Sequence, residues 1–201
     1  VEKPDTRSII IGEADRLFYQ QGFEPTSFSD IASSVGISRG NFYYHFKTKD
    51  EILEAVIDLR LRNTVGMLAA WEKQGETPAD RLKCFIKILI RNQAKIMAYG
   101  CPVGTLSNEL SKLDHPSKAD AARIFSLFKD WLARQFKAMG RKTDAETLAL
   151  HILGRSQGVA SLATAFKDKD YVHSEVDQIC RWIDSIEHAR DSNSEYSNRG
   201  S

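Results

Sequence analysis

The chain is poor in the features that mark several large protein classes. It holds 3 cysteines in 201 residues (Cys84, Cys101 and Cys180), none paired at short spacing. That excludes a disulfide-stapled scaffold and a zinc finger, and it suits the reducing cytoplasm. No apolar run approaches the roughly 20 residues that cross a bilayer, and no secretory pattern opens the chain, so no membrane partner is expected. Charge of one sign is lacking: 28 Lys and Arg meet 27 Asp and Glu, a formal net charge of +1. The whole molecule is therefore no basic coat for a polyanion, and any such affinity must come from a local patch. Catalytic signatures are missing too. There is no Gly-x-x-x-x-Gly-Lys phosphate loop and no His-Glu-x-x-His pair. The 5 histidines (His45, His115, His151, His173, His188) are scattered. A Cys101–His151 nucleophile and base can be drawn, but nothing in their spacing supports it. Neither an enzyme nor a cofactor or metal site is expected.

What is present is helical. No segment alternates like a strand, and apolar residues recur at helical spacing throughout. Ser or Thr precedes an acid by three residues at Ser27/Asp30, Thr48/Glu51, Thr77/Asp80, Thr143/Glu146 and Ser174/Asp177, a spacing that caps helix starts. About nine helices are expected, near residues 6–21, 28–35, 39–45 and 49–73, then one carrying Leu82, Phe85, Ile86 and Leu89. A short one follows with Leu106, Leu110 and Leu113, and the last three lie near 117–139, 144–166 and 175–189. The fold class is all-α. A small three-helix domain at 1–48 is joined to a larger helical domain at 49–189, and the polar residues 190–201 read as a disordered tail.

Residues 36–46, Gly-Ile-Ser-Arg-Gly-Asn-Phe-Tyr-Tyr-His-Phe, carry the most information. Gly36 sits where the chain must turn sharply. Phe42 and Phe46 share one helix face and can seat it on Ile31, Ala32, Val35 and Ile37. Ser38, Arg39, Asn41, Tyr43 and Tyr44 then project outward. Arg39 can reach a guanine edge or a phosphate, Asn41 an adenine or a phosphate, and tyrosine hydroxyls suit phosphate oxygens. Lys47 and Lys49 add charge, so three cations stand against one acid, Asp50, in residues 36–50. This is the make-up of a helix-turn-helix that enters a major groove. An all-helical adaptor would not need that face.

The run Thr26–Leu53, with Ala14, Leu17, Phe18 and Gln21-Gly22-Phe23 before it, resembles the N-terminal domain of the TetR family of bacterial transcriptional regulators. The resemblance covers about residues 8–55. It implies a homodimeric, DNA-binding repressor of palindromic operators, released by a small effector bound in the C-terminal domain. It places Ser27 and Ser29 at the phosphates and Ser38, Arg39, Gly40, Asn41 and Tyr43 on bases or backbone. Tyr44, His45 and Lys49 fall on positions that usually touch phosphate.

For the C-terminal body, Gly154 and Gly158 lie four apart, a spacing that lets helices approach closely, either a partner's or a neighbour within the chain. Val176, Ile179 and Ile183 form a stripe with Trp182 beside it. Together these suggest a dimer interface. Effector-lining candidates are Phe85, Leu89, Met97, Cys101, Leu106, Phe125, Phe128, Trp131 and His151, and their aromatic content suggests an apolar or aromatic ligand. The same stripe would equally build an ordinary core. Cys101, before Pro102, could alternatively be a reactive thiol sensing electrophiles or redox change, as in one subgroup the segment resembles, or simply a small buried side chain.

Overall fold

The computed structural model describes residues 5–197, with side chains through Glu187. The described residues form ten α-helices: α1 Thr6–Gln21, α2 Phe28–Val35, α3 Arg39–His45, α4 Lys49–Gln74, α5 Pro78–Arg91, α6 Gln93–Tyr99, α7 Pro102–Lys112, α8 Lys118–Ala138, α9 Ala145–Phe166 and α10 Lys169–Ser197. One more helix is present than expected. Asn92 leaves helical geometry (φ −105°, ψ 12°) and divides the fifth expected helix into α5 and α6. Asn favours helix ends because its side chain competes for backbone groups. The helix start expected at Ser174 is overturned. Asp168 accepts from the Tyr171 N–H at 3.0 Å, and α10 has begun by Lys169. At its other end α10 continues through part of the tail expected to be disordered, since no Gly or Pro stops it before Ser197. Residues 198–201 of that tail lie outside the described residues.

The chain divides into two compact units. The first holds the residues up to Thr64 together with Pro102–Phe125, so it is larger than the domain expected at 1–48. Its core joins Ile10, Ala14, Leu17 and Phe18 of α1, Ile31 of α2, Phe42 of α3, and Ile52, Leu53 and Val56 of α4. Leu106 and Leu110 of α7 complete it.

The second unit holds Val65–Cys101 and the chain from Ser126 onward. Within it α10 packs on α5 and α9, and α6 packs on α9. The α10 stripe of Val172, Val176, Ile179 and Ile183 is 0–2% exposed. Lys83–Asp184 (2.5 Å) and Arg155–Glu175 (2.8 Å) flank this core. The expectation that Val176, Ile179 and Ile183 meet a second subunit is therefore corrected. They close the core of their own chain.

Candidate nucleic-acid interface

Ser27 starts α2 through a reciprocal box. Its hydroxyl accepts from the Asp30 N–H at 3.0 Å, and its own N–H donates to the Asp30 carboxylate at 2.8 Å. The Ser27 hydroxyl, then its N–H, hold the Asp30 carboxyl below its ordinary range. This carboxylate complements the positive end of α2, so the Ser27 and Ser29 hydroxyls are the groups there that can serve a phosphate. Gly36 ends α2 in the left-handed region (φ 70°), the conformation glycine adopts without strain. Ser38 then caps α3 by accepting from the Asn41 N–H at 3.3 Å.

Phe42 fixes how α3 sits. It is fully buried, and its ring meets the Phe28 ring edge-on at 4.6 Å. With that face inward, Ser38, Arg39, Gly40, Asn41, Tyr43 and Tyr44 are exposed and His45 is half-buried. Tyr44 is 78% exposed, and Tyr43 lies against Phe28 at 5.0 Å. Ser27, Ser29, Arg39 and Tyr43 border one cleft of about 310 Å³ with Phe28, Ala32 and Phe42 at its wall. The start of α2 and one face of α3 thus bring two hydroxyls, a guanidinium and a phenol to one concavity. The exposed Lys47 side chain donates to the Tyr43 carbonyl, tying it to the end of α3. Arg7 of α1, absent from the expected contacts, lies 4.8 Å above the Phe46 ring and adds a cation to this unit.

Lys49, expected at a phosphate, is engaged within the protein. Its ammonium donates to the Phe23 and Glu24 carbonyls, both at 3.1 Å, and lies 4.3 Å over the Phe23 ring. It ties down the turn between α1 and α2. Lys49→Ala is expected to lower stability by about 1–3 kcal/mol through loss of these charge-assisted bonds. The salt slope of DNA binding should stay unchanged, whereas loss of a phosphate contact would reduce it by about one. Binding titrations at several salt concentrations separate the two.

The residues expected to line an effector cavity divide. Phe85, Leu89, Met97, Phe128 and Trp131 are buried in the second unit. Phe85 stands 5.6 Å from Phe128 and 6.2 Å from Trp71, which stands 5.7 Å from Trp131. Trp71 links this aromatic nest and is not among the expected residues, because it lies near the end of a long helix that reads as a connector. Trp131 is 1% exposed, and its indole N–H has no hydrogen-bond partner among the described residues. Leu106 belongs instead to the core of the first unit, and Phe125 lies half-buried in that unit. His151 is exposed on α9, its ring 5.0 Å from that of Trp182. Cys101 is half-buried directly before α7. Gly154 and Gly158 are exposed on α9, in a row with Leu150, Leu162 and Phe166. Among the described residues no His, Cys, Asp and Glu cluster could hold a metal ion, and no helix is long and apolar enough to cross a membrane.

Residues 10–56 match the family model for bacterial regulatory proteins, tetR family. A helix-turn-helix transcriptional regulator from the lacX 3′ region of Lactococcus lactis subsp. lactis is 29% identical over 184 residues, 86% of this chain and 90% of that protein. The helix-turn-helix transcriptional regulator TtgR of Pseudomonas putida is 38% identical over 90 residues, 45% of this chain and 42% of that protein. The fold is that of a TetR transcriptional regulator from Legionella pneumophila, with a TM-score of 0.79 and 20% identity over 92% of this chain and 98% of that one. The matched segment contains the whole α2–α3 face, so residues 10–56 are similar to the helix-turn-helix domain of the tetR family of bacterial regulatory proteins, and the fold is shared with a TetR transcriptional regulator along nearly the full length.

Proposed function

We propose that this protein is a cytoplasmic, ligand-responsive repressor that binds a palindromic operator as a homodimer and leaves it when a small effector binds. The observation that carries the reading is the cleft where Ser27, Ser29, Arg39 and Tyr43 converge beside the exposed Gly40, Asn41 and Tyr44. Hydroxyls there position the protein on phosphates, and Arg39 and Asn41 read base edges. Gly40 contributes no side chain and lets α3 lie close to the groove. The exposed α9 row of Leu150, Gly154, Gly158, Leu162 and Phe166 supports pairing with a second copy, with Trp182 at its margin. A twofold dimer would place two reading helices on half-sites about one helical turn apart.

The effector is an apolar or aromatic molecule, for which Trp71, Phe85, Phe128 and Trp131 of the second unit offer ring contacts. The unpartnered Trp131 N–H would donate to an acceptor atom on it. Release follows a two-state scheme in which the effector shifts the equilibrium only by its preference for the arrangement unsuited to DNA. The helix α4 belongs to both units, the first through Thr64 and the second from Val65, and is the connecting lever.

Footprinting the DNA upstream of the protein's own gene tests the reading, with Arg39→Ala as the control on the mode of contact. On the protected sequence the variant should bind about 1–3 kcal/mol more weakly than wild type, with a smaller loss on scrambled duplex. Equal losses on both assign Arg39 to phosphate, and failure of the wild-type protein to bind any duplex overturns the function.

A further inference from the structure

The turn between α1 and α2 is held from far along the chain. The Phe23 and Glu24 N–H groups donate to the two carboxylate oxygens of Glu109, at 2.9 and 2.8 Å. The carbonyls of the same two residues accept from Lys49. All four backbone polar groups of this dipeptide are thus satisfied by side chains of α7 and α4. The approach is close: Gly22 has φ 96°, and a Cβ there would lie 3.1 Å from a Glu109 oxygen. The Phe23 ring is buried edge-on against Phe18 and His115, each at 5.2 Å. His115 in turn faces Asp50 of α4 at 3.5 Å.

The start of α7 is tethered as well. Arg60, 8% exposed, donates through Nε to Asp15 of α1 at 2.6 Å and through Nη1 to the Pro102 carbonyl at 2.6 Å. One guanidinium thus joins α4, α1 and the first residue of α7, and Glu109 ties the last part of α7 to the turn. Because α7 is bonded near both ends, it acts as a splint along α1. The Thr26 hydroxyl donates to the Gly22 carbonyl at 2.6 Å, and Ser27 caps α2 immediately afterwards. The splint therefore bears on where α2 begins, and so on how far the Ser27 and Ser29 hydroxyls stand from Arg39.

We propose that Glu109 and Arg60 are positioning residues for operator binding, which hold α7 as a working part of the DNA-reading unit although neither touches DNA. The proposal rests on the reading of the Ser27–Tyr43 cleft as the DNA face. A carboxylate receiving two N–H groups and a fork serving two acceptors are both geometry-dependent, which sets the choice of variants. Glu109→Gln keeps the size of the side chain but offers one acceptor oxygen. Arg60→Lys keeps the charge but loses the planar fork.

The test uses the full-length protein, a duplex carrying the footprinted operator and a scrambled duplex of equal length. Wild type, E109Q and R60K are titrated on both at several salt concentrations, with thermal melts to count folded protein. Amide exchange is measured at residues 23–27. The expected result is a loss of about tenfold in operator affinity per folded molecule for each variant, the scale of one charge-assisted hydrogen bond. The loss should be smaller on scrambled duplex, the salt slope unchanged, and exchange at residues 23–27 faster. Operator affinity equal to wild type, or a loss that merely follows the unfolded fraction, overturns the proposal. If wild type binds neither duplex, the DNA-binding reading itself has failed, which is a separate outcome.

Discussion

Gly158→Glu is expected to convert a dimer into monomers and to weaken operator binding at least about 100-fold, with the fold intact. Gly158 is exposed on α9, and a Cβ built there meets no atom within 4 Å, as is also true of Gly154. Within its own chain the substitution therefore costs nothing in packing, and replacing a mid-helix glycine gains up to about 1 kcal/mol in helix propensity. Across a twofold axis the consequence reverses. In the proposed dimer the same patch would meet itself, so each substitution would bring two carboxylates into one apolar seam lined by Leu150, Leu162 and Phe166. Juxtaposed like charges cost several kcal/mol at an interface. Once separated, each reading head binds a half-site without the effective concentration that linkage supplies, typically a factor of about 10²–10⁴. Light scattering and a thermal melt on the same sample decide the matter. A monomer mass with a cooperative melt, lowered by no more than the lost association accounts for, supports the α9 seam, and a dimer mass places the interface elsewhere.

The faces of α9 and α10 mark where sequence reading reaches its limit. The apolar stripe of α10 is plain from its spacing, yet periodicity marks only that a face is covered and not by what. Val176, Ile179 and Ile183 are covered by their own chain, while the exposed face of α9 mixes glycines with isolated apolar residues. The reading face is legible because its determinants are local. Ser27 and Ser38 cap within three residues, Gly36 turns the chain, and Phe42 and Phe46 share one face. Caps further along are less legible. Thr77 makes its box with Asp80, whereas the next expected cap at Thr143 gives way to Asp144 at the boundary of α9. There Asp144 is engaged by Arg141, whose guanidinium holds its carboxyl below the ordinary range. The tie from Glu109 to Phe23 and Glu24 is out of reach altogether, since it spans 85–86 residues and leaves no periodic trace. Lys49 escapes for the same reason: its charge is visible in the sequence, but not the carbonyls that claim it.

Phe42→Ala should abolish specific DNA binding by a route opposite to that of Arg39→Ala, through the scaffold and not the contact. Phe42 is fully buried in the core of the first unit with Ile31 and Ile52, and its ring is the edge-on partner of Phe28 at the wall of the candidate cleft. Truncating a buried phenylalanine costs about 3–5 kcal/mol, a large share of the roughly 5–15 kcal/mol that holds a typical domain folded. The helix α3 has 7 residues, too few to persist without the core that seats it. Local opening of α3 is therefore cheaper than global unfolding, and the loss should stay in the first unit. Amide exchange should accelerate across residues 28–46 while α9 and α10 keep wild-type protection, and light scattering should still report the wild-type mass. Operator affinity should fall by more than about 100-fold, the equilibrium factor that corresponds to about 3 kcal/mol. If exchange in α3 were unchanged and binding fell less than about tenfold, Phe42 would not be what seats the reading helix. An exchange increase spread evenly over both units would instead mean that the chain unfolds as one cooperative body.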